Sequence, residues 1–268
     1  MPARVDLYNS AYANYGAEVY REVRIETYGE DFGQTSWVNT EESREIPLLL
    51  GLKVDSSVLE VGCGSGGYGL YLAKSVGCKL TGIDLNGPGV KNANGLAAEA
   101  GLAGRARFEV CDASQRLPFA DASLDAVFSN DVLCHLPGRD GVIGEMFRVL
   151  RPGGRMLFSD ALVIGGMISH EEIATRSSIG FYAYSPPGEN QRLMERAGFR
   201  GIRVTDTTDH AASIAQRWWD AREKRRRELV AVEGEQNFEG LQKFLLCVHR
   251  LTAERRLLRY LYLGERPL

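Results

Sequence analysis

Apolar positions after residue 56 fall into short runs that alternate with longer stretches of helical periodicity. Runs of this length indicate buried strands, and the stretches between them indicate helices. Strands separated by such helices are typical of a Rossmann-like α/β fold, in which a parallel sheet carries helices on both faces. The pattern predicts strands at Ser57–Val61, Lys79–Asp84, 107–111, Leu124–Ser129, 156–159, 202–206 and 257–263, and helices at 68–76, 88–100, 141–150 and Glu189–Ala197.

Three segments depart from this alternation. Residues 1–50 are rich in aromatic and charged side chains and lack alternating strands, so we expect them to form an N-terminal helical lid. Residues 51–268 then form the main domain, in which 161–188 and 208–253 are longer than a strand-to-strand crossover needs. Long connections in a compact domain are usually functional lids or insertions. Two cap insertions are therefore predicted there.

The chain has 268 residues, of which 44% are hydrophobic and 25% charged, with a formal net charge of −3. This composition is ordinary for a globular protein. A protein that binds a nucleic-acid duplex usually presents a basic face, so no nucleic-acid partner is expected. The one basic run, 222–227, is interpreted as a solvated helix face, with a nucleic-acid contact as the weaker alternative.

The five cysteines are scattered along the chain and include no Cys-x-x-Cys pair. This spacing argues against a zinc site and a disulfide framework, so no metal is expected, and free thiols fit a reducing cytoplasm. The N-terminus has no apolar signal-peptide core, and no apolar run reaches the length of a membrane span. We therefore expect a cytoplasmic protein without membrane contact. Its oligomeric state is left open, a homodimer included.

A glycine-rich loop follows the first predicted strand, with Gly62 and Gly64 followed by Gly67 at the start of a helix. Glycines let a backbone turn sharply and approach a ligand closely. Asp84 ends the next strand, 22 residues after Gly62, where an acid can accept hydrogen bonds from ribose hydroxyls. These residues predict a nucleoside-containing cofactor. A dinucleotide fits them as well, and a capping role for Asp84 stays open.

Three further features narrow the class of cofactor. Glu60 lies inside the strand two residues before the loop, and a buried acid there requires a ligand ammonium group or a supporting hydrogen-bond network. Asp112 follows the third strand, where an acid can meet an adenine amino group. Residues 117–127 and 149–155, the latter with an Arg-Pro-Gly-Gly turn, each lead into a further strand.

Together these motifs resemble the class I S-adenosylmethionine-dependent methyltransferases, in the small-molecule group that includes the sterol, sarcosine/dimethylglycine and phosphoethanolamine methyltransferases. The resemblance covers residues 50–165 and implies a seven-stranded sheet whose final strand inserts antiparallel. It implies S-adenosyl-L-methionine as the cofactor, with the glycines under its methionine part, Asp84 at the ribose and Asp112 at the adenine. The cofactor-binding residues implied are Gln34, Glu60, Gly62, Cys63, Gly64, Asp84, Leu85, Asp112, Ala113 and Asn130.

Methyl transfer is an in-line displacement at a sulfonium carbon, so the enzyme must align the acceptor, exclude water and remove any proton. His135 follows the fourth strand, where ligands of open α/β sheets bind, and is a candidate base. In the phosphoethanolamine methyltransferases a lid tyrosine and this histidine form a catalytic latch, and the resemblance places Tyr12 at the tyrosine position. Tyr15 is a near alternative, and packing roles for these side chains stay open.

The acceptor is expected to be a small molecule that is methylated on nitrogen or oxygen. Residues 179–184 are aromatic and uncharged where the phosphoethanolamine enzymes bind phosphate, which argues against a phosphobase, although Arg176 lies nearby in sequence. Aromatic residues here could cage an amine, line an apolar pocket or form cap core; they are Phe181, Tyr182, Tyr184, Trp218 and Trp219. The alternatives are a methyltransferase-fold protein that binds the cofactor without transferring methyl, whether as a catalyst or a binding module, and a nicotinamide-dependent oxidoreductase.

Overall fold

The computed structural model describes residues 5–268. Its strands are β1 (Ser57–Val61), β2 (Lys79–Asp84), β3 (Ala106–Val110), β4 (Leu124–Ser129), β5 (Leu150–Ile164), β6 (Arg200–Asp206) and β7 (Leu257–Glu265). Its helices are α1 (Tyr8–Ala13), α2 (Glu18–Tyr28), α3 (Thr40–Leu49), α4 (Gly67–Val76), α5 (Gly87–Glu99), α6 (Arg139–Val149), α7 (His170–Arg176), α8 (Glu189–Ala197), α9 (Thr208–Lys224), α10 (Arg226–Glu233) and α11 (Glu235–Ala253). Within residues 5–268, no helix has the length and apolar character needed to cross a membrane.

The strands form one sheet in the order β3-β2-β1-β4-β5-β7-β6. Strands β1 to β5 pair in parallel, while β7 runs antiparallel between β5 and β6. The seven-stranded sheet with an antiparallel final strand is therefore confirmed. Because the strand order reverses between β1 and β4, the carboxyl ends of these strands open a crevice of the kind that binds ligands in such folds.

Helices cover both faces of the sheet, as predicted. Successive side chains of a strand point to opposite faces, so each inner strand contributes to two cores. Val58 of β1 belongs to a buried cluster with residues of α3, α4 and α5. Its neighbour Leu59 belongs to a different cluster with residues of α6 and α8. Both side chains are almost fully buried.

Strand β5 is longer than the segment 156–159 predicted for it. It begins at Leu150, opposite Leu124 of β4, so the Arg-Pro-Gly-Gly turn lies inside the strand. Its far end reaches Ile164, which lies opposite Leu257 of β7. Pairing with β4 extends the start of β5 through residues of low strand propensity, and pairing with β7 extends its far end into the first residues of the segment 161–188.

The N-terminal segment and the second predicted insertion share a third core. Val23 of α2, Trp218 of α9 and Phe244 of α11 are buried in one cluster. The Trp218 ring lies 5.8 Å from the ring of Trp37 and 6.4 Å from that of Tyr28. Trp218 therefore serves as core between the two segments. The division into a lid at 1–50 and a domain at 51–268 stays a prediction.

The basic run 222–227 forms ion pairs within the chain. Arg222 is only 2% exposed and pairs with Glu233 at the end of α10. Arg225 pairs with Glu22 of α2 at 2.8 Å. The solvated face predicted for this run is therefore wrong for Arg222, because its guanidinium ties α9 to α10.

Candidate functional site

The loop after β1 has a backbone shape that favours glycine. Gly62 has a φ of +80° and Gly64 a φ of +52°, both in the left-handed region. The amides of Gly62 and Cys63 donate to the carbonyl oxygen of Ile83 in β2, at 2.8 and 3.1 Å. The loop is thereby fixed to the neighbouring strand at the crevice between β1 and β4.

Asp84 joins this loop to the turn that follows β2. One carboxylate oxygen accepts from the Gly64 amide at 2.8 Å, and the other accepts from the Asn86 amide at 2.8 Å. Burial raises the pKa of Asp84. The carboxylate borders a cleft of about 720 Å³. The predicted residues Leu85, Asp112 and Ala113 line the same cleft.

Two of these cleft residues present contrasting surfaces. Leu85 is 71% exposed, which leaves an apolar side chain open beside Asp84. Asp112 accepts hydrogen bonds from the amide and hydroxyl of Ser114, at 2.9 and 2.7 Å, and these bonds lower its pKa. The cleft therefore offers an apolar surface and an ionised acceptor, a combination that suits a heteroaromatic ring with an amino group.

A second, more enclosed cavity lies between the glycine loop and the N-terminal segment. Glu60 is buried in its wall, and Oε2 of Glu60 has no hydrogen-bond partner. Burial, and then the charge of Asp84, raise the pKa of Glu60 well above its usual range. Asn130 also presents a buried Oδ1 without a partner in this wall. Two buried acceptors without donors fit a ligand that brings its own donors, such as an ammonium group.

The other predicted cofactor residues, Cys63 and Gln34, also line this cavity. Cys63 is buried beside the glycines. The side chain of Gln34 is partly engaged elsewhere, because its Oε1 accepts from the Phe32 amide at 2.8 Å. Its Nε2 donates to the Glu30 carbonyl oxygen at 3.4 Å, so Gln34 lies beside the predicted cofactor site with both ends of its carboxamide bonded within its own loop.

His135 lies where the cleft and the enclosed cavity meet, since both are lined by its side chain. Its Nδ1 is 3.1 Å from the carbonyl oxygen of Phe181, so Nδ1 carries the proton and Nε2 the lone pair. The Tyr8 hydroxyl donates to Nε2 at 2.8 Å. Burial, and then the neighbouring Arg176, lower the pKa of His135 to about 4. The imidazole is therefore neutral at physiological pH.

The tyrosine paired with His135 is Tyr8 rather than the predicted Tyr12. Tyr12 lies one helical turn later on α1 and covers the glycine loop: a Cβ placed on Gly64 would lie 2.7 Å from its hydroxyl oxygen. Tyr15, the alternative, stacks under the Arg24 guanidinium at 4.3 Å. The pairing differs because residues four apart share a helix face, and the motif did not distinguish Tyr8 from Tyr12.

Arg176, at the end of α7, is the residue that the sequence did not place. It is 1% exposed, and its Nε and Nη1 have no hydrogen-bond partner. The guanidinium carbon lies 4.5 Å from the ring centroid of Tyr182 and 5.1 Å from that of Phe244. The uncharged stretch 179–184 therefore contributes an aromatic wall around a cation that comes from α7. A charge buried without a partner costs several kcal/mol.

A buried ion-pair network holds the loop that carries Asn130 and His135. Arg259 of β7 donates to Asp131 at 2.9 Å and to both carboxylate oxygens of Glu42 at 2.9 Å. The second oxygen of Asp131 accepts from the Trp37 amide at 3.0 Å. Asp131 has a φ of +58°, so this network also holds a strained backbone position. The site loop, the sheet and the N-terminal segment are thus joined through one arginine.

Comparison with known proteins agrees with this geometry. A family model described as a methyltransferase domain matches residues 59–158. The O-methyltransferase resE of Aspergillus sclerotiorum is 30% identical over 185 residues, which cover 68% of this chain and 70% of that protein. A phosphoethanolamine N-methyltransferase of Triticum aestivum is 29% identical over 214 residues, 80% of this chain and 41% of that protein.

The fold recurs in solved structures. The structure of Haemonchus contortus phosphoethanolamine N-methyltransferase 2 matches with a TM-score of 0.82 at 21% identity, over 97% of this chain and 60% of that one. The chain spans about half the length of the first curated relatives it matches, from 41% to 58%. The chain belongs to the class I S-adenosylmethionine-dependent methyltransferases, in their small-molecule group.

Proposed function

We propose that this protein transfers a methyl group from S-adenosyl-L-methionine to a nitrogen or oxygen of a small-molecule acceptor. The observation that carries the proposal is the meeting of the two spaces at His135, with the predicted cofactor residues in their walls. The cofactor supplies a methyl group on a sulfonium, which leaves as a neutral thioether. The chain's own residues have to bind the two substrates, align them and accept a proton.

The residues in hand fit the cofactor's parts. Glu60 and Asn130 offer unpartnered acceptors to an ammonium group. The glycine loop keeps its backbone close to neighbouring side chains, because a Cβ on Gly62 would meet Val132 and a Cβ on Gly64 would meet Tyr12. Asp84 is positioned by two amides to accept from ribose hydroxyls. The cleft wall at Leu85 and Asp112 then suits the adenine.

His135 and Tyr8 would handle the acceptor. The Phe181 carbonyl fixes the tautomer of His135, so that Nε2 can accept a proton. A hydroxyl or amine becomes acidic as its oxygen or nitrogen gains the methyl group, and a neutral imidazole can then take the proton. Tyr8 occupies Nε2 in this structure, and its hydroxyl is the group that an acceptor replaces or bonds to. Positioned proton transfer contributes about 10²- to 10⁴-fold to rate.

The test is calorimetry with S-adenosylmethionine, followed by a screen of amines, hydroxy compounds and thiols read as release of S-adenosylhomocysteine. We expect cofactor binding and turnover of at least one acceptor class. With that acceptor, His135→Gln and Tyr8→Phe should lower kcat and leave cofactor affinity within twofold. Tight cofactor binding without turnover of any pool would favour a non-methylating catalyst or a binding module. Binding of NAD(H) in place of S-adenosylmethionine would contradict the proposal.

A further inference from the structure

The charged group that the proposed transfer leaves unused is Arg176. Five arginines are buried among residues 5–268, and in four of them the guanidinium pairs with a carboxylate. The four pairs are Arg24–Asp31, Arg139–Asp160, Arg222–Glu233 and Arg259–Glu42. Arg176 has no carboxylate within 4.0 Å in that part of the chain, and two of its nitrogens lack any acceptor. The fold thus supplies a counter-charge to every buried arginine except the one in the cavity.

The surroundings of Arg176 are aromatic. Its guanidinium faces the rings of Tyr182, Phe244 and Trp37, at 4.5, 5.1 and 6.0 Å. These rings stabilise a cation through their faces, and the Tyr182 hydroxyl also bonds the guanidinium, but Nε and Nη1 of Arg176 still lack an acceptor. A ligand in this cavity can supply the missing acceptor, because Arg176 lines the same cavity as His135 and the glycine loop.

We propose that Arg176 binds a carboxylate of the methyl acceptor. This proposal rests on the proposed methyltransferase function and names the class of its acceptor, small organic carboxylates. The position of Arg176 in the cavity favours the acceptor over the cofactor. Its guanidinium lies 4.5 Å from the Tyr182 ring, which lies 4.3 Å from the His135 ring. The unpartnered atoms of Glu60 and Asn130 lie toward the glycine loop instead. A guanidinium matches a carboxylate in charge and in planar geometry.

A single negative charge fits the cavity better than a phosphate dianion. Arg176 is the one cationic side chain in the described cavity wall, since His135 is neutral. The acids in that wall supply no cation: Asp131 is already paired with Arg259, and burial favours the neutral form of Glu60 by raising its pKa. A second negative charge on the ligand would have no cation to pair with among aromatic walls.

Binding of a carboxylate would also act on the proposed base. The charge of Arg176 contributes to the low pKa of His135. A carboxylate on Arg176 neutralises that charge, so the pKa of His135 rises toward its ordinary value. The acceptor therefore makes the imidazole a stronger base at the moment when a proton has to be removed.

The experiment uses the full chain and three variants: Arg176→Met, Arg176→Lys and the control Arg222→Met. Melting temperatures are measured without ligand and with benzoate, 3-hydroxybenzoate, hexanoate, the three matching amides, and inorganic phosphate, each with and without S-adenosylhomocysteine. Calorimetry with S-adenosylhomocysteine is run on every variant, and release of S-adenosylhomocysteine from S-adenosylmethionine is measured with 3-hydroxybenzoate and 3-hydroxybenzamide.

We expect at least one carboxylate, and not its amide, to raise the melting temperature of the wild-type protein. Arg176→Met should weaken binding of that carboxylate at least tenfold, and Arg176→Lys should retain part of the binding. All three variants should bind S-adenosylhomocysteine with an affinity within twofold of the wild-type value. Arg176→Met should match or exceed the wild-type melting temperature, since it removes an unpaired buried charge. Arg222→Met should melt lower, because it leaves Glu233 buried without its partner.

Other results overturn the proposal. Equal binding of acids and amides, or no binding of either, would show that no carboxylate subsite exists. Phosphate binding in preference to every carboxylate would contradict the single charge. Loss of S-adenosylhomocysteine affinity in Arg176→Met would assign the guanidinium to the cofactor. A wild-type protein that binds no S-adenosylhomocysteine would refute the proposed function separately, because the carboxylate measurements are also made without it.

Discussion

Replacement of His135 by glutamine gives a stability measurement whose sign and size follow from the structure. The pKa of His135 is about 4 in the folded chain, against an ordinary value of 6.5. Above pH 6.5 the imidazole is neutral in the folded and in the unfolded chain, so its titration does not change the free energy of unfolding. As the pH falls from 6.5 to 4, the unfolded chain takes up a proton that the folded chain does not. The folded state therefore loses stability across this window.

The size of the effect follows from the gap between the two pKa values. At 1.36 kcal/mol per pH unit, the gap amounts to about 3 kcal/mol. Between pH 7.5 and pH 4, the wild-type free energy of unfolding should therefore fall by about 3 kcal/mol more than that of His135→Gln. Hydrogen bonds lost in the variant at every pH cancel in this difference.

The assay is urea unfolding followed by tryptophan fluorescence at pH 7.5, 6.5, 5.5 and 4.0. His210→Gln is the control, because the hydrogen bond to Glu42 raises the pKa of His210. Its stabilising contribution is present below pH 6.5 and is lost as the pH rises through the folded-state value, the opposite direction. Parallel stability curves for wild type and His135→Gln would refute a half-buried His135 that stays neutral in the folded chain.

Three substitutions test the rest of the site. Gly64→Ala forces a side chain into the left-handed region under a tyrosine ring, so calorimetry should show at least tenfold weaker cofactor binding, and urea unfolding should show a free energy of unfolding lower by about 1–2 kcal/mol. The control Gly95→Ala, in open space on α5, should leave stability unchanged or raise it. Asp84→Asn places a donor beside the Gly64 amide in place of an acceptor, so the Kd for S-adenosylmethionine should rise roughly thirtyfold, which corresponds to about 2 kcal/mol of binding free energy. An unchanged Kd would contradict the role of Asp84 in cofactor binding. Glu42→Gln removes one of the two carboxylates paired with Arg259, so thermal unfolding should show a free energy of unfolding lower by about 3 kcal/mol. A decrease of less than about 1 kcal/mol would mean that the ion-pair network does not stabilise the fold.

The sheet could be predicted because its signals are local. Apolar runs of strand length, turns between them and helical stretches repeat along the chain, and the expected β1, β2 and β4 agree with the structure residue by residue. The length of β5 could not be predicted, because its outer parts are held by pairing to β4 and β7. Local propensity carries no information about partners that are distant in sequence.

The candidate site likewise has parts that could be predicted from local sequence and parts that could not. The glycine loop and Asp112 follow strand ends and Asp84 is the last residue of β2, so a strand prediction places them together. Tyr8 was missed although it lies four residues before Tyr12, on the same face of a six-residue helix whose register the sequence leaves open. The position of Arg176 in the site could not be predicted, because its interest lies in the lack of a carboxylate partner. The absence of a carboxylate near a buried guanidinium is a property of the packed chain.

Helix α1 sets a condition on the order of events in a turnover. It carries Tyr8 against His135 and Tyr12 over Gly64, with the two tyrosine ring centroids 6.0 Å apart. One short helix thus places a side chain in the wall of both binding spaces, so we expect a displacement of α1 to open the two together. A single rate of opening would then govern the release of both products, and steady-state turnover would follow the viscosity of the solvent more closely than the reactivity of the acceptor.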